Sequence, residues 1–133
     1  MKTTTTWKKK LEFESHQDHN AISLDGNKKH GFGPKALLLS GLAGCSGVDV
    51  VEILEKMRIE FDSLEMDTEA TVTEEHPKIF KDVLITYKIK TDPDNEDKVR
   101  KAIDLSLDKY CGVSAMLKKN SPVTYKLIIE PLS

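Results

Sequence analysis

Between residues 34 and 58 the chain carries a helix-forming stretch with two unlike halves. From Ala36 to Cys45 it is apolar almost all round; beyond that, Val50, Val51, Leu54 and Met57 alternate at helical spacing with Glu52, Glu55, Lys56 and Arg58. A helix that is apolar on every side has to be covered on every side. The fold must therefore wrap the first half in sheet, in other helices or in another subunit. Pro34 opens the stretch, at a position where no amide donor is needed. Gly41, Gly44 and Gly47 recur at every third position, each costing up to about 1 kcal/mol of helix propensity against alanine. Close approach of another backbone explains such a stripe, and the same stripe opens space beside Cys45.

Strands surround this helix. Residues 3–13 and 21–25 read as two strands, the first alternating imperfectly, the second closed by the turn Asp25-Gly26-Asn27. Residues 59–75 and 79–91 alternate more cleanly, with Phe80, Val83, Ile85, Tyr87 and Ile89 on one face and His76-Pro77 in the turn between them. Asp92 to Asn95 forms a turn in which Asp94 or Asn95 can cap the next helix. That helix covers 96–110, with Val99, Ala102, Ile103, Ser106 and Tyr110 on one face. Gly112 interrupts it, a short helix follows from 113 to about 119, and 123–130 is a last strand. Runs of strands interrupted by two helices predict an α+β fold with a mostly antiparallel sheet. The whole chain, 1–133, reads as a single domain.

The chain has 133 residues with 20 basic and 22 acidic side chains, a net charge of -2. That balance leaves no broad positive surface for nucleic acid, and Lys8-Lys9-Lys10 reads as a solvated strand face. No stretch is expected to span a bilayer, and the N-terminal residues lack the apolar centre of a signal peptide. The expected compartment is the cytoplasm, where thiols stay reduced.

Cys45 and Cys111 are the two cysteines. Each ends or sits within an apolar helical stretch, which suggests redox chemistry rather than a loop-stapling disulfide. Cys45 lies about three turns into its helix, too deep for the N-terminal dipole to favour a thiolate strongly. Asp49, one turn on, would oppose a thiolate that it faced. His16-x-x-His19 has no second ligand pair, so no metal is expected, and no phosphate-binding or dinucleotide motif implies a cofactor.

Two blocks resemble the OsmC/Ohr family of thiol-dependent peroxidases, and look most like its YhfA-like branch. One runs from Gly33 to Arg58 and contains Cys-Ser-Gly-Val-Asp-Val-Val from Cys45. The other runs from Val99 to Leu117 and contains Lys-Tyr-Cys-Gly-Val-Ser-Ala around Cys111. The resemblance implies an OsmC-like fold: an intertwined homodimer with a long central helix, a second helix and N-terminal strands that join a shared sheet. It implies that Cys45 is the peroxidatic thiol and Cys111 the resolving thiol. The substrate would be an organic hydroperoxide, favoured by an apolar wall of Phe32, Leu38 and Leu42, and an external dithiol would return the enzyme to its reduced state.

Two positions depart from the family pattern. Lys35 stands where the peroxidases carry Glu after the proline, and Arg58 and Arg100 both lie outside the N-terminal segment that supplies their arginine. Lys35, or a lysine of the 8–10 run from a partner, would have to stabilise the thiolate as a point charge without the planar fork of arginine. The alternative reading is a weakly active or inactive dimer that binds an apolar small ligand beside Cys45.

Overall fold

The computed structural model describes residues 1–132 in two compact units, divided after Leu38. The first unit is a three-stranded antiparallel sheet in the order β1-β2-β3: β1 (Thr4–Lys9), β2 (Glu12–Gln17) and β3 (Asn20–Asp25). The single strand expected over 3–13 is two strands of a hairpin. The register shifts between Trp7 and Lys9, and Lys10 takes a left-handed conformation (φ 49°) that reverses the chain. The indole Nε1 of Trp7 donates to the Lys10 carbonyl at 2.9 Å and fastens this turn. Trp7 pairs with Phe13, and Phe13 with Leu24, so one face of the sheet carries an aromatic and aliphatic ladder.

Asp25 organises the loop that follows. Its carboxylate accepts from the amides of Asn27 (2.8 Å), His30 (3.0 Å) and Lys29 (3.2 Å). The Asn27 amide is the main cause of a lowered carboxyl pKa, helped by those of His30 and Lys29 and opposed by desolvation. A folded-state pKa below the unfolded one gives stability that is complete above the unfolded value and is lost as pH falls through the folded value. Acid is therefore expected to shift the Asn27, Lys29 and His30 amide resonances only below the ordinary aspartate range, near pH 3.9. A transition centred at or above that value would contradict the arrangement.

The long helix α1 (Pro34–Lys56) begins where the sequence places it. It stops two residues before the expected end. Arg58 adopts the left-handed conformation (φ 59°), while the amides of Arg58 and Ile59 bond back to Glu55 and Leu54, each at 3.0 Å. This is a Schellman closure with arginine in the place usually taken by glycine. Contrary to the sequence reading, α1 is long and apolar enough to cross a membrane by length and composition, with mean hydropathy 1.7 over an 18-residue window. Leu42, Val50 and Leu54 of this helix nevertheless belong to a buried protein core.

The second unit contains β4 (Phe61–Val72), β5 (Phe80–Thr91), α2 (Glu96–Leu105), α3 (Gly112–Lys118) and β6 (Val123–Glu130). β5 is the central strand, antiparallel to β4 and parallel to β6. The α+β class therefore holds, with two three-stranded sheets and one parallel pairing. Parallel strands need a long crossover, and residues 92–122 supply it. Phe80, Val83, Ile85, Tyr87 and Ile89 of β5 are all buried, as the alternation predicts, and pack with Leu42, Val50, Leu54, Val99, Ala102 and Ile103.

Neither expected cap residue closes the start of α2. Asp92 accepts from the Asp94 amide at 2.9 Å within a 3-10 turn, and Asn95 donates from its side chain to Thr91. At its other end α2 runs into a π turn, Ser106–Tyr110. The wide turn leaves Tyr110 exposed, not on the buried face expected for it, and carries Cys111 into the core.

Candidate functional site

Cys111 sits at the junction between the π turn and α3. Its amide donates to the Ser106 carbonyl at 2.7 Å, the bond that closes the wide turn. Its own backbone is extended (φ −76°, ψ 105°), which ends the helix and starts the next. The thiol then acts as an N-cap, with Sγ accepting from the Ser114 amide at 3.3 Å. Ser114 Oγ and Lys118 Nζ both donate to the Leu107 carbonyl, at 3.3 and 2.7 Å. Those two donors satisfy a carbonyl that the wide turn would otherwise leave without a helical partner.

Cys45 lies midway along α1, half-buried, and packs against the core that contains Cys111. Both thiols are free. Burial pushes the Cys111 thiol up to about 11, the Ser114 amide opposing this and the neighbouring Cys45 and Asp49 adding to it. The fold therefore packs Cys45, from the middle of α1, against the same core that buries Cys111. It also keeps Cys111 a thiol at neutral pH.

The other residues singled out from sequence fall in different places. Leu42 is fully buried in the core of the second unit. Phe32, Lys35 and Leu38 belong to the first unit and are exposed. Arg100 is tied to Glu96 at 3.0 Å on α2, and Arg58 is the exposed residue that closes α1. Among the described residues no three His, Cys, Asp or Glu side chains gather as metal ligands.

One part of the site escapes sequence reasoning. Tyr87 Oη lies 2.6 Å from Ser46 Oγ, Ser46 Oγ lies 2.9 Å from Ser106 Oγ, and Ser106 Oγ lies 3.0 Å from Asp49 Oδ2. Tyr87, Ser46 and Ser106 are fully buried, and burial pushes the Tyr87 phenol up to about 12. The available signal was polar residues on apolar faces: Ser46 and Asp49 one turn apart on α1, and Ser106 on the apolar face of the helix expected over 96–110.

Comparison with known proteins follows the same lines. The OsmC-like protein family matches residues 26–126. Protein YhfA of Escherichia coli K12 is 35% identical over 129 residues, spanning 94% of this chain and 95% of that protein. A hypothetical protein from Aquifex aeolicus has the same fold at a TM-score of 0.89 and 28% identity, covering 99% of this chain and 97% of that one. The organic hydroperoxide resistance protein OhrB of Bacillus subtilis shares the fold at a TM-score of 0.65 and 16% identity, with 95% and 96% of the two chains covered. With its two free thiols packed in one core, and a family match across most of its length, this chain belongs to the OsmC-like protein family.

Proposed function

We propose that this protein is a cysteine-dependent peroxidase that reduces organic hydroperoxides to alcohols in defence against oxidative stress. The observation that carries the reading is the juxtaposition of Cys45 and Cys111 as free thiols in one core. The half-buried Cys45 attacks the O–O bond as a thiolate. Alcohol leaves, and the sulfur keeps one oxygen as a sulfenic acid. Cys111 then displaces that oxygen as water and forms the Cys45–Cys111 disulfide, which an external dithiol reduces. A reducing compartment such as the cytoplasm would return the pair to thiols between turnovers. The organic hydroperoxide resistance proteins among its structural relatives support the choice of substrate class.

Two exposed apolar surfaces support a homodimer. Leu38 and Val48 on α1 are more than half exposed, and nothing lies within 4 Å of where a Cβ would stand on Gly41 or Gly44. The backbone approach expected at the glycine stripe is not made within the protomer there, and Gly47 meets the Met66 side chain instead. On the first sheet Trp7, Phe13 and Ile22 are also exposed on one face. A second copy covering these surfaces would satisfy the requirement that α1 be enclosed.

Free-thiol count and intact mass, before and after one equivalent of cumene hydroperoxide, test the reading. Wild type is expected to lose both thiols and two hydrogens within seconds to minutes, and Cys45→Ser to keep its remaining thiol. Unchanged thiols in the folded wild type would overturn the peroxidase reading and favour the ligand-binding alternative. The substitution of Lys35 for the family's Glu, and a Cys111 thiol pushed up to about 11, are what give that alternative its weight.

A further inference from the structure

The second half of α1 and the neighbouring helix α2 leave a cleft of about 620 Å³ between them, within the roughly 300–1,000 Å³ of small-ligand sites. Its charges are ordered along its length. Asp49, Glu52 and Lys56 line it from α1, and Lys101 lines it from α2. Asp49 and Lys56 are seven residues apart, so they stand about 10 Å apart along the helix axis, with Glu52 between them. Ser106 lies 2.9 Å from Ser46 Oγ and 3.0 Å from Asp49 Oδ2, which fixes where the end of α2 meets α1. Among the described residues, α1 lines the cleft only from Asp49 onward. Lys101, five residues before Ser106, therefore lies toward the Lys56 end. One end of the cleft is acidic and the other basic.

The acidic end is built in advance. Ser106 is fully buried and donates to Asp49 Oδ2. Ser46 and Tyr87, also fully buried, stand behind Ser106, with Tyr87 Oη 2.6 Å from Ser46 Oγ. This network holds the Asp49 carboxylate still, so a ligand that binds it has little further to order there. Among the described residues, Asp49 Oδ1 has no protein donor, and none of Asp49, Glu52, Lys56 and Lys101 is in an ion pair. Glu52 and Lys56 have the acid-before-base spacing that favours pairing on a helix, yet they stay apart. Opposite charges are thus held across an open space rather than cancelled within it. Ile53, Met57 and Leu105 are half-buried in the cleft, and Tyr110 is exposed at it by the π turn. These four give it an apolar wall.

We propose that this cleft binds a short peptide with free termini, its ammonium on Asp49 and its carboxylate on Lys56 and Lys101. Neither Cys45 nor Cys111 is among the lining residues, and this binding does not depend on the peroxidase reading. The length of the ligand follows from the span. An extended chain covers about 3.3–3.6 Å per residue, so two or three residues bridge the distance from Asp49 to the lysines. A free amino acid carries its two charges within about one residue's reach, too close to meet both ends. An apolar side chain in the peptide packs on Ile53, Met57, Leu105 and Tyr110. Glu52, between the ends, accepts from a backbone amide of the peptide, because an ionised carboxylate only accepts.

The test is an amide-resolved NMR titration of the full chain with glycyl-leucyl-glycine, its N-acetyl form, its C-terminal amide and free leucine. The free tripeptide is expected to give saturable shifts confined to the cleft, those of Glu52, Lys56, Lys101 and Tyr110 among them. N-acetylation and C-amidation should each weaken binding about tenfold, the worth of one charge-assisted contact, and free leucine should bind at least as much more weakly. Lys101→Met keeps the aliphatic stem and removes the charge. It should shrink the penalty of C-amidation and leave the penalty of acetylation in place. Asp49→Asn should do the reverse. If Asp49→Asn does not fold, Lys101→Met, at an exposed position, decides the matter alone. Variants that weaken every peptide by one common factor would show a structural effect and overturn the proposal. So would equal affinity for the free and capped peptides, or the absence of any saturable shift at the cleft. Leucine binding as tightly as the tripeptide would overturn it too, since the two ends would not then be bridged.

Discussion

Leu42→Ala is expected to lower the unfolding free energy by about 3 kcal/mol, within the 2–5 kcal/mol typical of leucine truncation in a packed core. Leu42 has no exposed surface and belongs to the same cluster as Val50, Leu54, Ile85, Tyr87 and Ile103. Removing its three terminal carbons loses their transfer free energy and leaves a cavity that two elements of regular structure cannot readily close. Urea unfolding at fixed protein concentration should show the midpoint falling with an unchanged slope. Under the proposed peroxidase reading, thiol oxidation at saturating hydroperoxide should by contrast survive in the fraction that stays folded. The sequence reading placed Leu42 in an apolar substrate wall. A loss below about 1 kcal/mol, together with a changed preference among hydroperoxides, would return it to that role.

Gly31→Ala is expected to disrupt the first unit, with the Asp25 and Phe32 amides losing about 10²-fold of their hydrogen-exchange protection. A Cβ on Gly31 would stand 2.6 Å from the carbonyl carbon and oxygen of Ser23 and 2.8 Å from the Leu24 nitrogen. All three are backbone atoms of β3, so no rotamer change can make room. The segment would have to lift away, breaking Phe32 N–H to Ser23 at 3.0 Å and Asp25 N–H to Phe32 at 2.9 Å. Overpacking of this kind costs about 1–3 kcal/mol and each lost bond about 1 more, so about 3 kcal/mol is a conservative sum, equivalent to two decades in an equilibrium constant. Gly33→Ala is the control. Its Cβ would meet the methylenes of Lys28 at 3.1 Å, a flexible side chain that can step aside. Equal protection in the two variants would show that the close approach at Gly31 is not a constraint.

What could be read from the sequence followed where the physics is local. The start of α1 at Pro34 and the buried face of β5 are written in residue type and period, and both appear as expected. The hairpin at Lys10 was hidden because a register shift after Trp7 imitates a continuous, badly alternating strand. The end of α1 was misplaced because arginine, not glycine, occupies the left-handed position. The parallel pairing of β5 with β6 leaves no mark in alternation, since either direction buries the same face.

At the site, the two cysteines were conspicuous because the sequence has only two and each ends or sits within an apolar helical stretch. Ser46 and Ser106 were not, because a serine on an apolar face reads as a small core residue until its partners are known. Asp49 was seen from sequence as a liability to a thiolate. In the fold its carboxylate is engaged by Ser106, 57 positions along the chain. That pairing depends on the packing of α1 against the crossover, which no local pattern encodes.

A helix fixes the bearing of each side chain as a phase, advancing by about 100° per residue. The π turn at Ser106–Tyr110 breaks that arithmetic by absorbing extra chain within a single revolution. The bearing of Cys111 is thereby uncoupled from the bearing of Val99, Ala102 and Ile103, which is fixed by the sheet beneath them. The packing of α2 and the aim of the sulfur become two separately adjustable quantities. A lineage carrying this fold can thus retune its core without turning the thiol away, and can redirect the thiol without disturbing its core.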